Sequence, residues 1–517
     1  MKSIITHDRL GAGLTALVGL LGVSAALSQG LPAPTSWAVF TPTAAPRAGL
    51  RIPAEAIAIQ PVLVDQEALA LAGVGKRLAL DLNPGARFTG LVTRATHRGA
   101  DALTVAGRLE GFQDSSFILV TEQEATVGIL DTGVDNRRFR LGYQADGVHL
   151  ISQIDPALFA PCAIDGPAGP RSGPVVASQT STSAAGAAAT TAGEQGFGVP
   201  ADGADGSEAC TAPTTVFDVI VAYTNVARAA AGGTSAIQAE CTLAIETTNA
   251  AYDNSNISAR MRMLYRGEVT YNESGTFTEH RDRLANTSDG IMDIVHTWRD
   301  TYEADVVACL VDDGAYCGIA YCTPSGAAEG FCIVNWGCAS GNFSFPHEVG
   351  HLQGCAHDRA NAGSGCNEYS YSYGWRFYGD SGTQWRTVMA YAPGTRVNYF
   401  SNPNIDYDGT PTGKPLGDPN ESHNALTVNN TRGSVSLWRY PGFDVWVDFS
   451  YGGLFEFGLF DFPFDTLAEG VNAIPNYTSG ATEYTNLYIK TGTTNVTNYT
   501  ISDTMTIRAC GGSVTIN

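Results

Sequence analysis

Three histidines and one glutamate are grouped at spacings that suit a catalytic metal. His347 and His351 are four residues apart, so on a helix their imidazoles lie on one face and can reach the same ion. Glu348 follows the first of them. A straight helix would carry His357 too far along its axis, and Gly354 stands where the chain must turn, because glycine accepts the positive φ that ends a helix. The pattern predicts three neutral imidazoles on one Zn²⁺ with a fourth position open to water.

The chemistry expected of such a site is hydrolysis. Zinc on three imidazoles lowers the pKa of bound water to about 7 and polarises a carbonyl group. Glu348 would accept the proton of that water and pass it to the leaving amine. A lone His-Glu-x-x-His pair occurs by chance in many helices. Here the pattern extends through residues 347–358 and holds three of the nine histidines, which favours a catalytic zinc site over a chance match.

The same stretch resembles the metzincin zinc endopeptidases. Asp358, directly after the third histidine, is similar to the reprolysin-like branch of that family. Met389 lies in a Thr-Val-Met-Ala-Tyr segment that resembles the family's methionine turn. The resemblance implies that Met389 forms an apolar floor under the metal ligands. It also implies that Asp358 and Gly354 support the turn that carries the third ligand.

Apolar patterns predict the frame that holds these residues. Residues 216–223 and 306–311 are apolar runs typical of buried strands, and residues 260–265 predict a strand between them. Two helical patterns, which begin near Thr234 and Ser288, separate the strands. This order matches the metzincin order, and it predicts an α/β (α+β) metzincin-type catalytic domain with a mixed sheet and a zinc-binding helix. We place that domain at residues 211–440.

Two further stretches of this domain concern the substrate. Residues 331–335 predict a strand, which by the resemblance would be the sheet edge that pairs with an extended peptide; a plain inner strand is the alternative. Residues 399–403 resemble secreted bacterial members of the family, in which this segment borders the pocket for the residue after the cleaved bond. Arg396, close by, hints at a preference for acidic residues.

The first 28 residues have the composition of a secretory signal peptide. Lys2 and Arg9 precede an apolar run over residues 10–27, which is followed by the small residue Ser28. An uncleaved anchor is the alternative, because the run approaches the ~18–20 residues that span a bilayer. Its glycines and small-residue end favour cleavage. We therefore expect a secreted protein without an integral membrane segment in the mature chain.

Residues 29–165 alternate short apolar runs with Gly and Asp turns, which predicts a β-rich unit. This unit contains no catalytic constellation, and it resembles an activation propeptide that covers the cleft until it is removed. Residues 166–210 are rich in Gly, Ala, Ser and Thr, a composition typical of a flexible linker. We expect the activating cleavage there, since proteases nick exposed flexible chain.

The cysteines suggest both disulfides and a latency switch. Ten of the eleven lie from Cys210 onward. In an exported protein they predict several bridges, also within residues 309–338, although spacing does not give the pairing. Cys162 is left over near the end of the predicted propeptide. Its thiolate could bind zinc in place of water and keep the enzyme latent. An ordinary disulfide or a free thiol is the alternative.

The formal net charge is −21. Such acidity excludes a nucleic-acid partner, which needs a basic surface. Calcium sites fit the acidity, but no loop of calcium-binding spacing stands out. We assign Ca²⁺ to no residue.

Residues 441–517 differ in composition from the rest of the chain, with many Phe, Tyr, Gly, Asn and Thr residues. Residues 463–471 predict a short helix. The alternating pattern then predicts four short strands, at residues 487–489, 499–501, 505–507 and 514–516. This segment resembles the first coils of right-handed parallel β-helix proteins. A module that binds a surface or a glycan is one interpretation, and a passive stabilising module is the other.

The sequence thus predicts a secreted zinc endopeptidase, made as a latent precursor, that acts on protein or peptide substrates. The alternative is a non-catalytic binding or adhesion protein on the same scaffold. A binding protein has no need for a glutamate beside the first zinc ligand. Intact Glu348 therefore favours the peptidase.

Overall fold

The structure is a computed structural model of the chain. It describes residues 37–163 apart from 46–48, 84 and 100, residues 215–439 apart from 323–325 and 364–365, and residues 444–453, 456, 463–473, 486–495 and 506–516. The predicted signal peptide, the predicted linker and the predicted strand at residues 499–501 lie outside these ranges. No helix in the described ranges has the length and apolar character needed to cross a membrane.

Ten strands and one short helix form the N-terminal unit. They are β1 (Trp37–Ala38), β2 (Phe40–Pro42), β3 (Ala56–Val64), α1 (Gln66–Ala70), β4 (Arg77–Asn83), β5 (Ala86–His97), β6 (Ala102–Leu109), β7 (Ser116–Glu122), β8 (Ala125–Asp131), β9 (Arg138–Ala145) and β10 (Val148–Ile154). Their order in the sheet is β1-β4-β5-β6-β7-β8-β9-β10-β3-β2.

This sheet closes on itself. β1 and β2 are two parts of one extended segment with Val39 between them. β1 pairs with β4 and β2 pairs with β3, which are the outer strands of the remaining antiparallel sheet. The short segment therefore joins both edges. Apolar side chains such as Leu80, Phe117 and Phe139 fill the interior, so the N-terminal unit has a core of its own.

The central unit begins with a layer of strands and helices. Its first elements are β11 (Thr215–Thr224), α2 (Asn225–Ala231), α3 (Thr234–Asn254), β12 (Ala259–Val269), α4 (Phe277–Ala285), α5 (Ile294–Tyr302), β13 (Val306–Val311), β14 (Gly318–Ala320), β15 (Phe331–Asn335), α6 (Trp336–Gly341) and α7 (Ser344–Leu352).

Five of these strands form the mixed sheet that the sequence predicted. Their order is β12-β11-β13-β15-β14, with all neighbours parallel except β14. β13 is buried along its whole length, which explains its unbroken apolar sequence. α3 starts at Thr234, near the predicted start, and its N-cap is Gly233, which makes no side-chain hydrogen bond. The helix predicted from Ser288 starts only at Ile294.

The prediction that residues 331–335 form the sheet edge was wrong. β15 lies between β13 and β14, and β14 is the edge strand. β14 has three residues, Gly-Ile-Ala, which is too short to give a strand pattern. The short antiparallel strand therefore takes the edge position that the sequence had assigned to its neighbour, and β15 is an inner strand.

Short strands and one helix follow the zinc-motif helix α7. They are β16 (Ala356–Asp358), β17 (Tyr373–Gly374), β18 (Arg376–Tyr378), β19 (Gln384–Arg386), β20 (Thr395–Arg396), β21 (Asp406–Tyr407), β22 (Thr410–Pro411) and α8 (Asn424–Val435). β18, β19 and β20 form one small sheet, and β16 pairs with β17. These pairings place the third histidine of the motif and the Met389 segment close to α7.

The described part of the C-terminal segment contains β23 (Asp444–Val447), α9 (Leu467–Asn472), β24 (Asn486–Thr494) and β25 (Thr506–Ile516). The three strands are parallel neighbours. The predicted helix is present, but the two strands predicted at residues 505–507 and 514–516 are one continuous strand. The β-helix and its binding role stay predictions.

Helix α3 joins the N-terminal unit to the central unit. One side of α3 packs on β12, and the other packs on β7 and β8. Ile118 and Val120 of the N-terminal sheet contact this second side, where Leu243 is buried. Burying apolar surface there favours a docked N-terminal unit.

Buried ion pairs lie in the same interface. Glu122 of the N-terminal unit pairs with Arg266 at 2.9 Å, and Arg140 pairs with Glu240 of α3 at 2.7 Å. Burial alone would raise the pKa of Glu122, but the hydrogen bond and charge of Arg266 lower it. In the docked arrangement each of these buried carboxylates therefore has a guanidinium partner, which offsets the cost of burying its charge.

Two disulfides join cysteines around the predicted site. They are Cys317–Cys338 and Cys322–Cys366, and Cys510 is also disulfide-bonded. Cys309 lies inside the stretch expected to form bridges, but its thiol is free and buried in β13. In that central strand the thiol acts as a small apolar side chain.

Candidate active site

Helix α7 carries His347, Glu348 and His351 inside the protein. All nine of its residues are buried. The two imidazoles point to the same side, with their Nε2 atoms 3.2 Å apart. The four-residue spacing on a helix therefore produces the paired ligands that the sequence predicted.

A tight turn brings the third histidine back to this pair. Gly354 has a φ of 90°, and the N–H of Cys355 donates to the carbonyl of Gly350 at 2.9 Å. The chain then enters β16. There the Nε2 of His357 lies 3.2 Å from that of His347 and 2.9 Å from that of His351.

Backbone carbonyls set the tautomers of two of these rings. Nδ1 of His347 lies 2.8 Å from the carbonyl oxygen of Val388, and Nδ1 of His351 lies 2.9 Å from that of Cys355. A carbonyl only accepts, so each Nδ1 carries the proton and each Nε2 presents a lone pair. Such partners orient the histidine ligands of metal sites.

The convergent Nε2 atoms suit a metal ion. Ligands at ~2.0–2.1 Å in a tetrahedral zinc site lie about 3.3 Å from one another, close to the separations found here. Burial, and then nearby positive charge, lowers the pKa of His347 well below its ordinary value. Burial likewise lowers the pKa of His357 to about 4. Neutral, unprotonated imidazoles are the form that binds metal.

The predicted supporting residues surround this cluster. Asp358 accepts hydrogen bonds from Arg376 at 2.6 Å, from Asn361 and from the backbone N–H of Tyr391 at 3.0 Å. It thereby ties the turn after the third histidine to the segment below it. Met389 is fully buried. A Cβ on Gly350 would lie 2.6 Å from its sulfur, so Met389 packs directly beneath α7.

Sequence reasoning missed several contacts of the site. The carbonyls of Val388 and Cys355 carry no side-chain signal. The ring of Tyr391 lies 4.1 Å from the ring of His357, centroid to centroid. Arg376, the ion-pair partner of Asp358, belongs to no recognisable motif. Only the fold brings these groups together.

Glu348 lies against the sheet edge. A Cβ added to Gly318 of β14 would lie 2.3 Å from Oε1 of Glu348, so the glycine leaves room for this carboxylate. The glutamate is thus held between the histidine cluster and the strand that would bind a peptide. This is a suitable place for a general base.

We expect Gly318→Ala to misplace Glu348. The added methyl group would push the carboxylate, and displacements of about 1 Å at a reacting group can cost about 10²-fold in rate. The predicted result is a kcat lowered by roughly 10–100-fold with metal content unchanged. Steady-state kinetics and metal analysis would measure it. Gly314→Ala is the control, because a Cβ there meets open space. Equal kcat values in both variants would contradict the prediction.

The end of the N-terminal unit lies on the same edge. The N–H of Ala163 donates to the carbonyl of Gly318 at 2.8 Å, and the N–H of Cys317 donates to that of Pro161 at 2.9 Å. The hydroxyl of Tyr391 donates to the carbonyl of Cys162 at 2.9 Å. Residues 161–163 therefore occupy the backbone-pairing edge beside the histidine cluster.

Cys162 is buried inside this contact. Its Sγ, one nitrogen of His347 and one oxygen of Glu348 all lie within 4.8 Å of one another. Burial, and then the charge of Glu348, raises the pKa of the Cys162 thiol. The structure thus brings the odd cysteine to the ligand group that the sequence had assigned to a metal.

Comparison with known proteins agrees with this geometry. Residues 213–401 match the model of the metallo-peptidase family M12, in its reprolysin-type form. A peptidyl-Asp metalloendopeptidase of Pseudomonas fragi is 34% identical over 196 residues, which cover 37% of this chain and 99% of that protein. The chain belongs to the M12 metallopeptidase family. The resemblance to reprolysin-like metzincins is confirmed, and the M12 match spans all three histidines and Met389.

Two longer M12 relatives are also similar. The peptidyl-Asp metalloendopeptidase of Stenotrophomonas maltophilia is 40% identical over 230 residues, covering 44% of this chain and 53% of that protein. The peptidyl-Asp metalloendopeptidase of Xanthomonas campestris is 37% identical over 247 residues, covering 47% of this chain and 57% of that protein. The chain thus spans about half the length of these two relatives. The M12 match itself begins after the N-terminal unit.

Proposed function

We propose that this M12 member is a secreted zinc endopeptidase that hydrolyses peptide bonds with Glu348 as general base. The observation that carries the proposal is the convergence of three histidine Nε2 atoms at 2.9–3.2 Å beside that glutamate. His347, His351 and His357 would hold the ion. The family assignment favours this function over a non-catalytic binding protein. Secretion rests on the predicted signal peptide.

The metal, Glu348 and β14 have different roles in the proposed hydrolysis. Zinc, when bound, supplies Lewis acidity toward water and the scissile carbonyl. Glu348 accepts the proton of the attacking water and later delivers it to the leaving amine. Once residues 161–163 leave the sheet edge, β14 offers backbone groups that orient an extended peptide. Burial of the cluster keeps bulk water from screening these charges.

The function is tested with processed protein and an unfolded substrate protein. We expect cleavage that a chelator abolishes and that added Zn²⁺ restores. If Zn²⁺ restores cleavage and Ca²⁺ does not, the ion required for catalysis is zinc and not calcium. Cleavage that persists in the chelated, metal-free protein would refute the zinc mechanism.

We infer an acidic substrate preference as part of this function. The relatives named above are peptidyl-Asp metalloendopeptidases, and we carry that aspartate preference over to this chain. The segment after Met389 would border the residue that follows the cleaved bond. Aspartate at that position is the proposed substrate feature.

We further propose that the N-terminal unit keeps the precursor latent through Cys162. Residues 161–163 pair with the edge strand β14, and the Cys162 sulfur lies beside His347 and Glu348. A thiolate is a strong zinc ligand. A peptide substrate could not use the same edge while these residues remain there.

Cys162→Ser should make the uncleaved precursor active. A serine hydroxyl is a much weaker zinc ligand than a thiolate, so we expect the variant precursor to gain at least ten-fold in peptide hydrolysis over the wild-type precursor. Activity is measured before any processing, with chain length checked by mass spectrometry. Ala157→Ser, an exposed change in the same segment, is the control and should stay latent. A Cys162→Ser precursor as latent as the control would count against the switch.

A further inference from the structure

Two buried guanidinium groups lie next to the proposed active site. Arg396 of β20 is 2% exposed, and Arg386 of β19 is 7% exposed. The two residues are directly paired between adjacent strands. Neither makes an ion pair with a carboxylate among the residues that the structure describes.

Arg396 is incompletely hydrogen-bonded. Its Nη1 donates to the carbonyl of Asn342 at 3.0 Å, and its buried Nε has no hydrogen-bond partner in the part of the chain that the structure describes. Buried polar groups in proteins are nearly always hydrogen-bonded. The buried guanidinium of Arg396 therefore has a donor left for a further acceptor, such as a ligand carboxylate.

Within the described ranges, Arg386 donates only to backbone carbonyls. Its Nε bonds the carbonyl of Gly394 at 2.8 Å and its Nη1 that of Ala390 at 2.7 Å. Burial, and then the charge of Arg396, lowers the pKa of Arg386. Asp358 acts on it from nearby, but the oxygens of Asp358 are already held by Arg376, Asn361 and a backbone N–H. Among the described residues, the two neighbouring arginines thus have no carboxylate in an ion pair of their own.

The position of this charge points to the substrate. Asn342, which accepts from Arg396, stands two residues before the start of α7. The charge of Arg396 acts on all three site histidines and on Cys162. A purely structural role would be served as well by apolar side chains of similar volume, since buried charge is costly to desolvate.

We propose that Arg396, supported by Arg386, binds the side-chain carboxylate of the substrate residue directly after the cleaved bond. The planar guanidinium can hold a carboxylate through two parallel hydrogen bonds. A site built for such a group rejects an analogue that leaves its buried donors unpaired. The proposal rests on the peptidase function above, and it assigns the acid preference to named residues.

The test compares two peptides that differ only in Asp or Asn after the scissile bond. We expect the processed, zinc-loaded enzyme to favour the Asp peptide by at least about 100-fold in kcat/KM. Arg396→Gln should reduce this ratio to less than ten-fold by loss of activity on the Asp peptide alone. Arg228→Gln removes an arginine from a half-exposed surface pair with Glu268, and it should leave the ratio unchanged.

A second variant, Arg396→Lys, tests the same contact with the positive charge retained. It loses the planar guanidinium, so the ratio of kcat/KM for the Asp and Asn peptides should also fall, by about ten-fold. Arg396→Lys replaces Arg396→Gln if the Arg396→Gln protein does not fold. A ratio that neither change lowers would overturn the assignment.

Failure of the peptidase function would appear differently, as hydrolysis of neither peptide. In that case calorimetry with product peptides that begin with Asp or Asn still tests the pocket. Preferential binding of the Asp product, lost in Arg396→Lys, would support it. Equal binding of both products would overturn it.

Discussion

Glu348→Gln should lower kcat by about 10³–10⁴-fold while zinc stays bound. Glutamine has nearly the same shape as glutamate but accepts no proton at neutral pH, and a positioned general acid–base contributes about 10²–10⁴-fold. We expect the upper end, because the same carboxylate serves both the attacking water and the leaving amine. The side chain is fully buried beside Gly318, so an isosteric change should not disturb the packing.

Kinetics, metal content and thermal stability should be measured on the same preparation. Glu368→Gln is a matched control, since this carboxylate is exposed and lies outside the site. It should keep full activity. A Glu348→Gln enzyme within ten-fold of wild type would assign the proton transfer to another group.

His351→Ala should abolish both metal binding and activity. The change removes one of three converging Nε2 atoms and leaves the carbonyl of Cys355 without its imidazole donor. We expect less than about 0.1 zinc per chain and no measurable turnover. The protein should also lose the stabilisation that bound metal gives, about 4 kcal/mol when free metal exceeds Kd a thousand-fold.

Atomic absorption, turnover and thermal unfolding with and without Zn²⁺ would measure these effects. The wild-type Tm should rise with added metal, and the Tm of His351→Ala should not. His296→Ala is the control. Its imidazole hydrogen-bonds to the carbonyl of Asn286 and not to the histidine cluster, so this variant should keep zinc. Full zinc occupancy in His351→Ala would remove this histidine from the ligand set.

The zinc motif was accessible to sequence analysis because its geometry is local. A helix spacing places His347 and His351 on one face, and a glycine with positive φ turns the chain toward His357. β11 and β13 were equally accessible, since buried parallel strands have unbroken apolar sequences.

Contacts between distant parts of the chain could not be predicted from local sequence patterns. β14 is too short to show a pattern, so the edge was assigned to β15. The ion pair between Glu122 and Arg266 joins residues 144 positions apart, and nothing in either neighbourhood predicts the other. The same holds for Cys162. Its position at the end of the N-terminal unit suggested a switch, but the pairing of residues 161–163 with β14 depends on how two folded units dock.

The role proposed for Arg396 depends on both its sequence position and its burial. Its place after Met389 suggested an acidic preference, but a surface arginine would have had the same sequence. Its burial, its unpartnered Nε and the neighbouring Arg386 are the observations behind the proposal that it binds a substrate carboxylate.

The most direct measurement is a map of the bonds that processed, zinc-loaded enzyme cleaves in an unfolded protein, obtained by mass spectrometry. We expect zinc-dependent cleavage with aspartate as the first residue of most new peptides. Absence of cleavage by zinc-loaded protein freed of its N-terminal unit would contradict the peptidase assignment. Cleavage with no enrichment of aspartate would contradict the proposal that Arg396 and Arg386 select an aspartate side chain.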